Sequence, residues 1–101
     1  MRKEDIVISR ILKQTNRVRC SSYFDELYKR LFVYISDLCI ERILLDKNSL
    51  YIRKDTLNEF FKDNDTQTKE ILYEFCKATD FTVTEIQNGI KYKIDFNLST
   101  L

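Results

Sequence analysis

A chain of 101 residues can enclose one small hydrophobic core but not two. Apolar residues form 44% of the sequence and charged residues 33%, with the two signs nearly equal, which excludes an intrinsically disordered protein. Histidine is absent and the three cysteines lack CxxC spacing, which argues against acid-base catalysis by histidine and against a zinc site. We therefore expect a single domain over residues 1–101 that is not an enzyme and that needs no metal or other cofactor.

The sequence offers no membrane span or secretion signal. Its apolar run over residues 31–35 is followed at once by Ser36 and Asp37, and it is too short to cross a bilayer. The first five residues are mostly charged and lack the apolar stretch of a signal peptide. These observations predict a cytoplasmic protein that does not bind membranes. Cys39 and Cys76 are expected to be reduced and buried in apolar helix faces.

Positive charge is concentrated at the beginning of the chain. Residues 1–30 carry eight basic and four acidic side chains, a net charge of +4, whereas the remaining 71 residues sum to −3. An anionic partner is therefore expected to contact the N-terminal region first. The basic side chains that we single out for such a contact are Arg10, Lys13, Arg17 and Arg19.

Two helices are predicted in the first half of the chain. Residues 4–14 are predicted to form a short helix, followed by a loop over residues 14–22. The apolar side chains near one face of this helix are Ile8, Ile11 and Leu12. A long second helix over residues 23–46, with Ser21 or Ser22 as its N-terminal cap, is expected to form the hub of the core. Its apolar stripe consists of Phe24, Leu27, Tyr28, Leu31, Ile35, Leu38 and Cys39, widened by Phe32 and Ile43.

Residues 47–49 end this helix, and a short strand over residues 50–53 follows. A helix over residues 55–62, capped by Asp55 or Thr56, then stops at a turn over residues 63–65. The next helix covers residues 66–78. Its inward face is formed by Ile71, Leu72 and Phe75, and its outward face by Gln67, Thr68, Lys69, Tyr73 and Lys77.

The strongest local signal is a β-hairpin over residues 81–96. Two segments with alternating apolar and polar residues flank Asn88-Gly89, the pair best suited to a type I′ turn because both central residues need positive φ. A two-residue loop fixes the register of the strands. On the buried side Phe81 is expected to face Phe96, Val83 to face Ile94 and Glu85 to face Tyr92, and on the other side Thr84 to face Lys93 and Ile86 to face Lys91.

The predicted order is long helix, short strand, short helix, turn, second helix and β-hairpin. This order resembles the winged helix-turn-helix family over residues 23–96, and it is carried by the segment LYIRKDTLNEFFKDNDTQTKEILYEFCKATDFTVTEIQNGIKYKIDF. The resemblance implies a small α+β domain with a hairpin wing, preceded by an extra basic helix and loop in residues 1–22. It also implies that the second helix enters a DNA major groove while the wing contacts backbone or minor groove. The implied contacts are Thr66, Gln67, Thr68, Lys69 and Tyr73 in the helix, with Gln87, Asn88, Lys91 and Lys93 in the wing.

Two functions are compatible with this pattern. The first is a small DNA-binding protein, such as a transcriptional regulator or an accessory factor of a phage or mobile element, which binds duplex or single-stranded DNA as a homodimer paired through its N-terminal helix. The second is a protein-interaction module, since residues 48–96 hold nine acidic and seven basic side chains, whereas phosphate binding needs a positive surface. A histone-like fold over residues 4–62 is the alternative architecture, but it leaves residues 66–96 unexplained.

Overall fold

Helices followed by a three-stranded antiparallel sheet form the domain, so the expected α+β class is confirmed. The computed structural model describes residues 2–61 and 65–101. The elements in chain order are α1 (Lys3–Cys20), α2 (Glu26–Leu44), β1 (Ser49–Arg53), α3 (Lys54–Asn58), α4 (Asp65–Thr79), β2 (Thr82–Ile86) and β3 (Lys91–Asp95), with a 3₁₀ turn over Leu98–Thr100. None of the helices in the two described ranges has both the length and the hydropathy required to cross a bilayer.

Helix α1 is longer than predicted, because it continues to Cys20 and replaces the loop expected over residues 14–22. Two buried side chains in this second half, Thr15 and Val18, hold it against the core. The full buried row of α1 is Val7, Ile11, Thr15 and Val18. Leu12 was predicted to face the core, and this was wrong, since its side chain is 54% exposed. The inward face is therefore rotated away from Leu12.

Helix α2 is the hub of the core, as predicted, but its cap differs. Asp25 is the N-terminal cap, and its Oδ1 accepts a hydrogen bond from the backbone N–H of Tyr28 at 2.8 Å. The predicted caps Ser21 and Ser22 were wrong; the Oγ of Ser21 accepts instead from the N–H of Tyr23 at 3.0 Å, within the loop. The buried side chains of α2 are Leu31, Phe32, Ile35, Ser36, Cys39 and Ile43.

One polar pair lies inside the interface between α1 and α2. The Oγ1 of Thr15 and the Oγ of Ser36 are 2.6 Å apart, and both side chains are buried. Ser36 Oγ also donates to the carbonyl oxygen of Phe32 at 2.8 Å. Since a hydroxyl has one proton, Thr15 is the donor and Ser36 the acceptor of the bond they share. Both buried hydroxyls are thereby hydrogen-bonded.

Helices α2 and α4 both end in a Schellman motif with an aspartate in the left-handed conformation. The φ angle is 60° at Asp46, after α2, and 62° at Asp80, after α4. The N–H of the next residue donates to the carbonyl oxygen five residues earlier, at 3.0 Å after α2 and 2.9 Å after α4. Helix α2 is therefore ended by Asp46, just before the residues 47–49 that were predicted to end it.

Helix α3 begins one residue earlier than predicted, at Lys54, and ends at Asn58. The predicted caps Asp55 and Thr56 lie inside this helix, so that prediction was wrong. Residues 62–64, which include most of the predicted turn, lie outside the described residues.

Helix α4 confirms the helix predicted over residues 66–78 to within one residue at each end. Its inward residues Ile71, Leu72 and Phe75 are buried as predicted. Thr68 was placed on the outward face, and this was wrong, since it is only 1% exposed.

The hairpin has the predicted register. Val83 lies opposite Ile94, and Glu85 lies opposite Tyr92. Tyr92, Ile94 and Phe96 are buried, as expected for the inner face. Strand β3 is the central strand, because β1 pairs with its other edge and gives the order β1-β3-β2. This pairing of β1 was not predicted.

The hairpin tip has the backbone that Asn88-Gly89 predicts. The φ angle is 57° at Asn88 and 84° at Gly89, and the N–H of Ile90 donates to the carbonyl oxygen of Gln87 at 3.2 Å. Gln87 also has a positive φ of 52°, so the left-handed stretch includes one residue more than predicted.

Candidate nucleic-acid interface

The helix predicted to enter DNA and the hairpin are tied together by an ion pair. Lys69 Nζ in α4 lies 2.7 Å from Glu85 Oε1 in β2 and 5.5 Å from the ring centre of Tyr73. The hydrogen bond between them lowers the pKa of the Glu85 carboxyl and raises the pKa of Lys69. The Tyr73 ring meets Tyr92 edge-on, with ring centres 6.4 Å apart. Lys69 is thus held by a carboxylate of the same chain.

The rest of the outward face of α4 is poorly suited to phosphate. Of the three residues that precede Lys69, Thr66 is exposed, Gln67 is half-buried and Thr68 is buried. Further along, Glu74 accepts a hydrogen bond from the hydroxyl of Tyr28 in α2. Burial and then this bond raise the pKa of Tyr28, so its hydroxyl remains a proton donor at neutral pH. An acidic side chain of α4 is therefore tied to α2.

Arg10, which was singled out as a DNA contact, has a partner within the chain. Its Nη1 donates to the carbonyl oxygen of Thr79 at 3.0 Å and lies 3.9 Å from Oδ2 of Asp80. The guanidinium thus caps the C-terminal end of α4. This contact gives Arg10 a structural role that does not involve nucleic acid.

The other basic residues singled out in α1 are Lys13, Arg17 and Arg19, and all three are exposed. Both arginines lie in the last turn of the helix rather than in a loop, where positive charge stabilises the helix dipole. The Nε of Arg17 donates to Oε1 of Gln14 at 3.1 Å. Arg17 also borders, together with Lys77 of α4, an open groove of about 590 Å³. The groove is also lined by Phe24, Tyr28, Phe32 and Glu74.

Two of the predicted wing residues lie on the side of the sheet that faces away from the core. Asn88 is exposed at the hairpin tip. Tyr92 and Ile94 point into the core, so the alternation of β3 turns Lys91 and Lys93 to the opposite side of the sheet. The structure therefore divides the predicted basic residues between the helical layer and the sheet.

Strand β1 adds two residues that the sequence analysis missed. The register places Arg53 opposite Lys91 and Tyr51 opposite Lys93. Since buried and exposed residues alternate in β1, Tyr51 and Arg53 share the solvent side with these lysines. We call this surface the outer sheet face, and its residues are Tyr51, Arg53, Thr84, Ile86, Lys91 and Lys93. The alternation of the strand was visible in the sequence, but its pairing with β3 was not.

The outer sheet face carries positive charge that the fold does not require. Arg53 and Lys91 are cross-strand neighbours of the same sign, an arrangement that destabilises a sheet. Asp55 lies 3.6 Å from Arg53 at the surface and offsets part of this repulsion. Lys91 and Lys93 form no ion pair with any described residue. A group of cations such as Arg53, Lys91 and Lys93 is typical of an anion-binding surface.

The helix face predicted to pair two copies of the chain is used within the chain itself. Ile11 is fully buried, and Ile8 packs against the core. Leu12 of the same face is 54% exposed, so the fold uses this face only in part.

Cys20 is exposed, whereas the other two cysteines lie in the core. Cys39 and Cys76 are buried, as expected, and burial raises the pKa of both thiols, to about 12 for Cys76. In the described part of the chain, no three cysteine, aspartate or glutamate side chains are grouped closely enough to hold a metal ion. The chain matches no protein-family model, and no curated protein or solved structure is found to be similar to it.

Proposed function

We propose that this is a small DNA-binding protein with a winged-helix fold, and that it contacts the sugar-phosphate backbone through the outer sheet face. The element order α2-β1-α3-α4-β2-β3 supports the fold, because it is the order on which the resemblance rests. The tip residue Asn88 is exposed at the end of the hairpin and supplies a further contact.

The observation that carries the proposal is the grouping of Arg53, Lys91 and Lys93. Strands in a sheet are about 4.8 Å apart, and residues two apart along a strand are separated by roughly 6.7 Å. The three cations are therefore close enough to act on one stretch of backbone. Asp95 lies on the same side in the next row, so the positive charge is concentrated toward the hairpin tip.

The proposal is tested by measuring fluorescence anisotropy of labelled oligonucleotides, duplex and single-stranded, over a range of salt concentrations. If three phosphates are neutralised, log K should fall against log salt with a slope of about −2.7 on duplex DNA or about −2.1 on a single strand. The variant Lys91→Gln with Lys93→Gln should weaken binding and flatten the slope to about −1. The matched control is Lys3→Gln with Lys47→Gln, which removes the same charge from two exposed sites elsewhere.

A third variant, Arg17→Ala with Arg19→Ala, tests whether the exposed basic residues of α1 contact DNA. If only this variant flattens the slope, DNA binds at α1, and the proposal that it binds at the outer sheet face is refuted. Absence of binding at low salt to either oligonucleotide would refute DNA binding altogether and favour the protein-interaction alternative.

A further inference from the structure

An aromatic ring lies among the cations of the outer sheet face. Tyr51 is 51% exposed, although its neighbours along β1, Leu50 and Ile52, are buried. Its cross-strand partner is Lys93, and Arg53 follows it by two residues on the same side. A half-exposed tyrosine on a strand gives up part of the burial that such a ring provides in a core. The position thus presents a flat apolar surface with positive charge beside it.

This combination matches the chemistry of single-stranded nucleic acid. Proteins that bind single strands combine cations that follow the backbone with aromatic rings on which bases stack. In a duplex the faces of the bases are covered by their neighbours, so a ring on an open sheet can stack only with a base of an unpaired strand. The side chain of Ile86, which lies opposite Lys91, adds apolar surface to the same face.

We infer that the outer sheet face binds single-stranded DNA, with one base stacked on the Tyr51 ring and the adjoining phosphates beside Arg53, Lys91 and Lys93. This inference rests on the proposed function and specifies the form of DNA that the surface takes. Arg53 exchanges its contact with Asp55 for a phosphate on binding, which is feasible because an exposed ion pair of this kind is weak.

The absence of tryptophan from the chain makes stacking directly measurable. The variant Tyr51→Trp introduces a single indole at the proposed stacking position, and its fluorescence should be quenched when oligothymidylate is added. The same length of duplex, or of a strand with abasic sites, should quench it little. The matched reporter is Tyr23→Trp, since Tyr23 is 87% exposed in the loop before α2. Equal quenching of both reporters, or quenching by the abasic strand, would overturn the inference.

Affinity measurements separate this inference from the proposed function. Tyr51→Ala should weaken binding of the single strand by roughly 5- to 150-fold, the range for loss of one stacked base, and Tyr51→Phe should retain most of the affinity. Binding of a duplex should be equal in the wild type and both variants. Because Tyr51 lies at the surface of an edge strand, circular dichroism should show all three proteins folded.

Each result distinguishes the two claims. If both DNA forms bind in a salt-dependent manner but Tyr51→Ala changes neither, the stacking inference is refuted while DNA binding stands. If neither form binds, the proposed function has failed. Stronger quenching of the Tyr51→Trp reporter by oligouridylate than by oligothymidylate would overturn the assignment to DNA.

Discussion

Arg10 in α1 donates a hydrogen bond from Nη1 to the carbonyl oxygen of Thr79 at 3.0 Å, so the side chain of one helix caps another. The carbonyl groups in the last turn of a helix have no partner within the helix, and they form the negative end of its dipole. The Arg10 guanidinium at this point donates a hydrogen bond to one of these carbonyl groups, and its positive charge stabilises the negative end of the dipole. The contact also fixes how α1 lies against the end of α4.

Arg10→Ala is therefore expected to destabilise the fold by about 1–2 kcal/mol, because a carbonyl oxygen loses a charged donor and the aliphatic part of the side chain is removed. The free energy of unfolding measured by urea denaturation checks this. Lys13→Ala, at an exposed site on the same helix, is the control and should change stability by no more than about 0.5 kcal/mol. Equal stability of the two variants would contradict the capping role.

Gly89→Val is expected to destabilise the hairpin by about 1–3 kcal/mol, since a β-branched residue resists the φ of 84° observed there. The cost comes from the backbone rather than from a clash. An added Cβ would lie 3.5 Å from Glu85 Oε2 and 3.6 Å from Lys54 Nζ, which are ordinary contacts. Gly89→Asn should cost much less, because asparagine tolerates the left-handed region. Thermal melting of both variants tests the difference, and similar midpoints would argue against the turn.

The Lys69–Glu85 pair should make stability depend on pH in the acid range. The pKa of Glu85 lies below its ordinary value of 4.5 in the folded chain, so its charged form stabilises the fold above that value. This contribution is lost as the pH falls through the lowered pKa. The stability difference between the wild type and Glu85→Gln should therefore be present at pH 7 and smaller at pH 3. Urea titrations at both values measure it, and 1 M salt should reduce the difference at pH 7 by screening. A difference that persists unchanged at pH 3 would exclude the pair as its source.

The buried hydroxyl pair should show strong non-additivity. Ser36→Ala leaves the donor of Thr15 without its acceptor and is expected to cost about 1–3 kcal/mol. When Thr15→Val is combined with it, both polar groups are gone, and the double variant should be more stable than the sum of the single losses predicts. A double-mutant cycle by urea denaturation provides the coupling energy. Simple additivity would show that the two hydroxyls do not depend on each other.

The hairpin could be predicted because its signals are local. Asn88-Gly89 specifies the turn, the turn fixes the register, and the register decides which side of each strand is buried. The partner of β1 had no such local signal. Nothing in the sequence indicates that Tyr51 lies opposite Lys93, and this pairing is what assembles the candidate site.

Polar residues with distant partners account for most of the remaining differences. The polar stretch that includes Thr15 predicted a loop. In the structure the Thr15 hydroxyl is buried and hydrogen-bonded to Ser36, a partner that the sequence alone does not reveal. Likewise, Arg10 and Lys69 had the features of free cations. Their acceptors, Thr79 and Glu85, lie on elements that only the tertiary fold brings near. The number of charged residues in a sequence therefore overstates how many charged side chains are free to contact a partner.

The aspartates that end α2 and α4 leave the domain below the stability that its architecture allows. Asp46 and Asp80 adopt a backbone conformation that glycine occupies without strain, and their charge lies at the negative end of a helix dipole. Glycine has more conformational freedom in the unfolded chain, which opposes folding. Even so, Asp46→Gly would raise the free energy of unfolding by roughly 0.5–1 kcal/mol. That corresponds to a rise of a few degrees in melting temperature. The gain at Asp80 is smaller, because its carboxylate also lies near Arg10. Engineering for thermostability can thus begin at two surface positions remote from the outer sheet face.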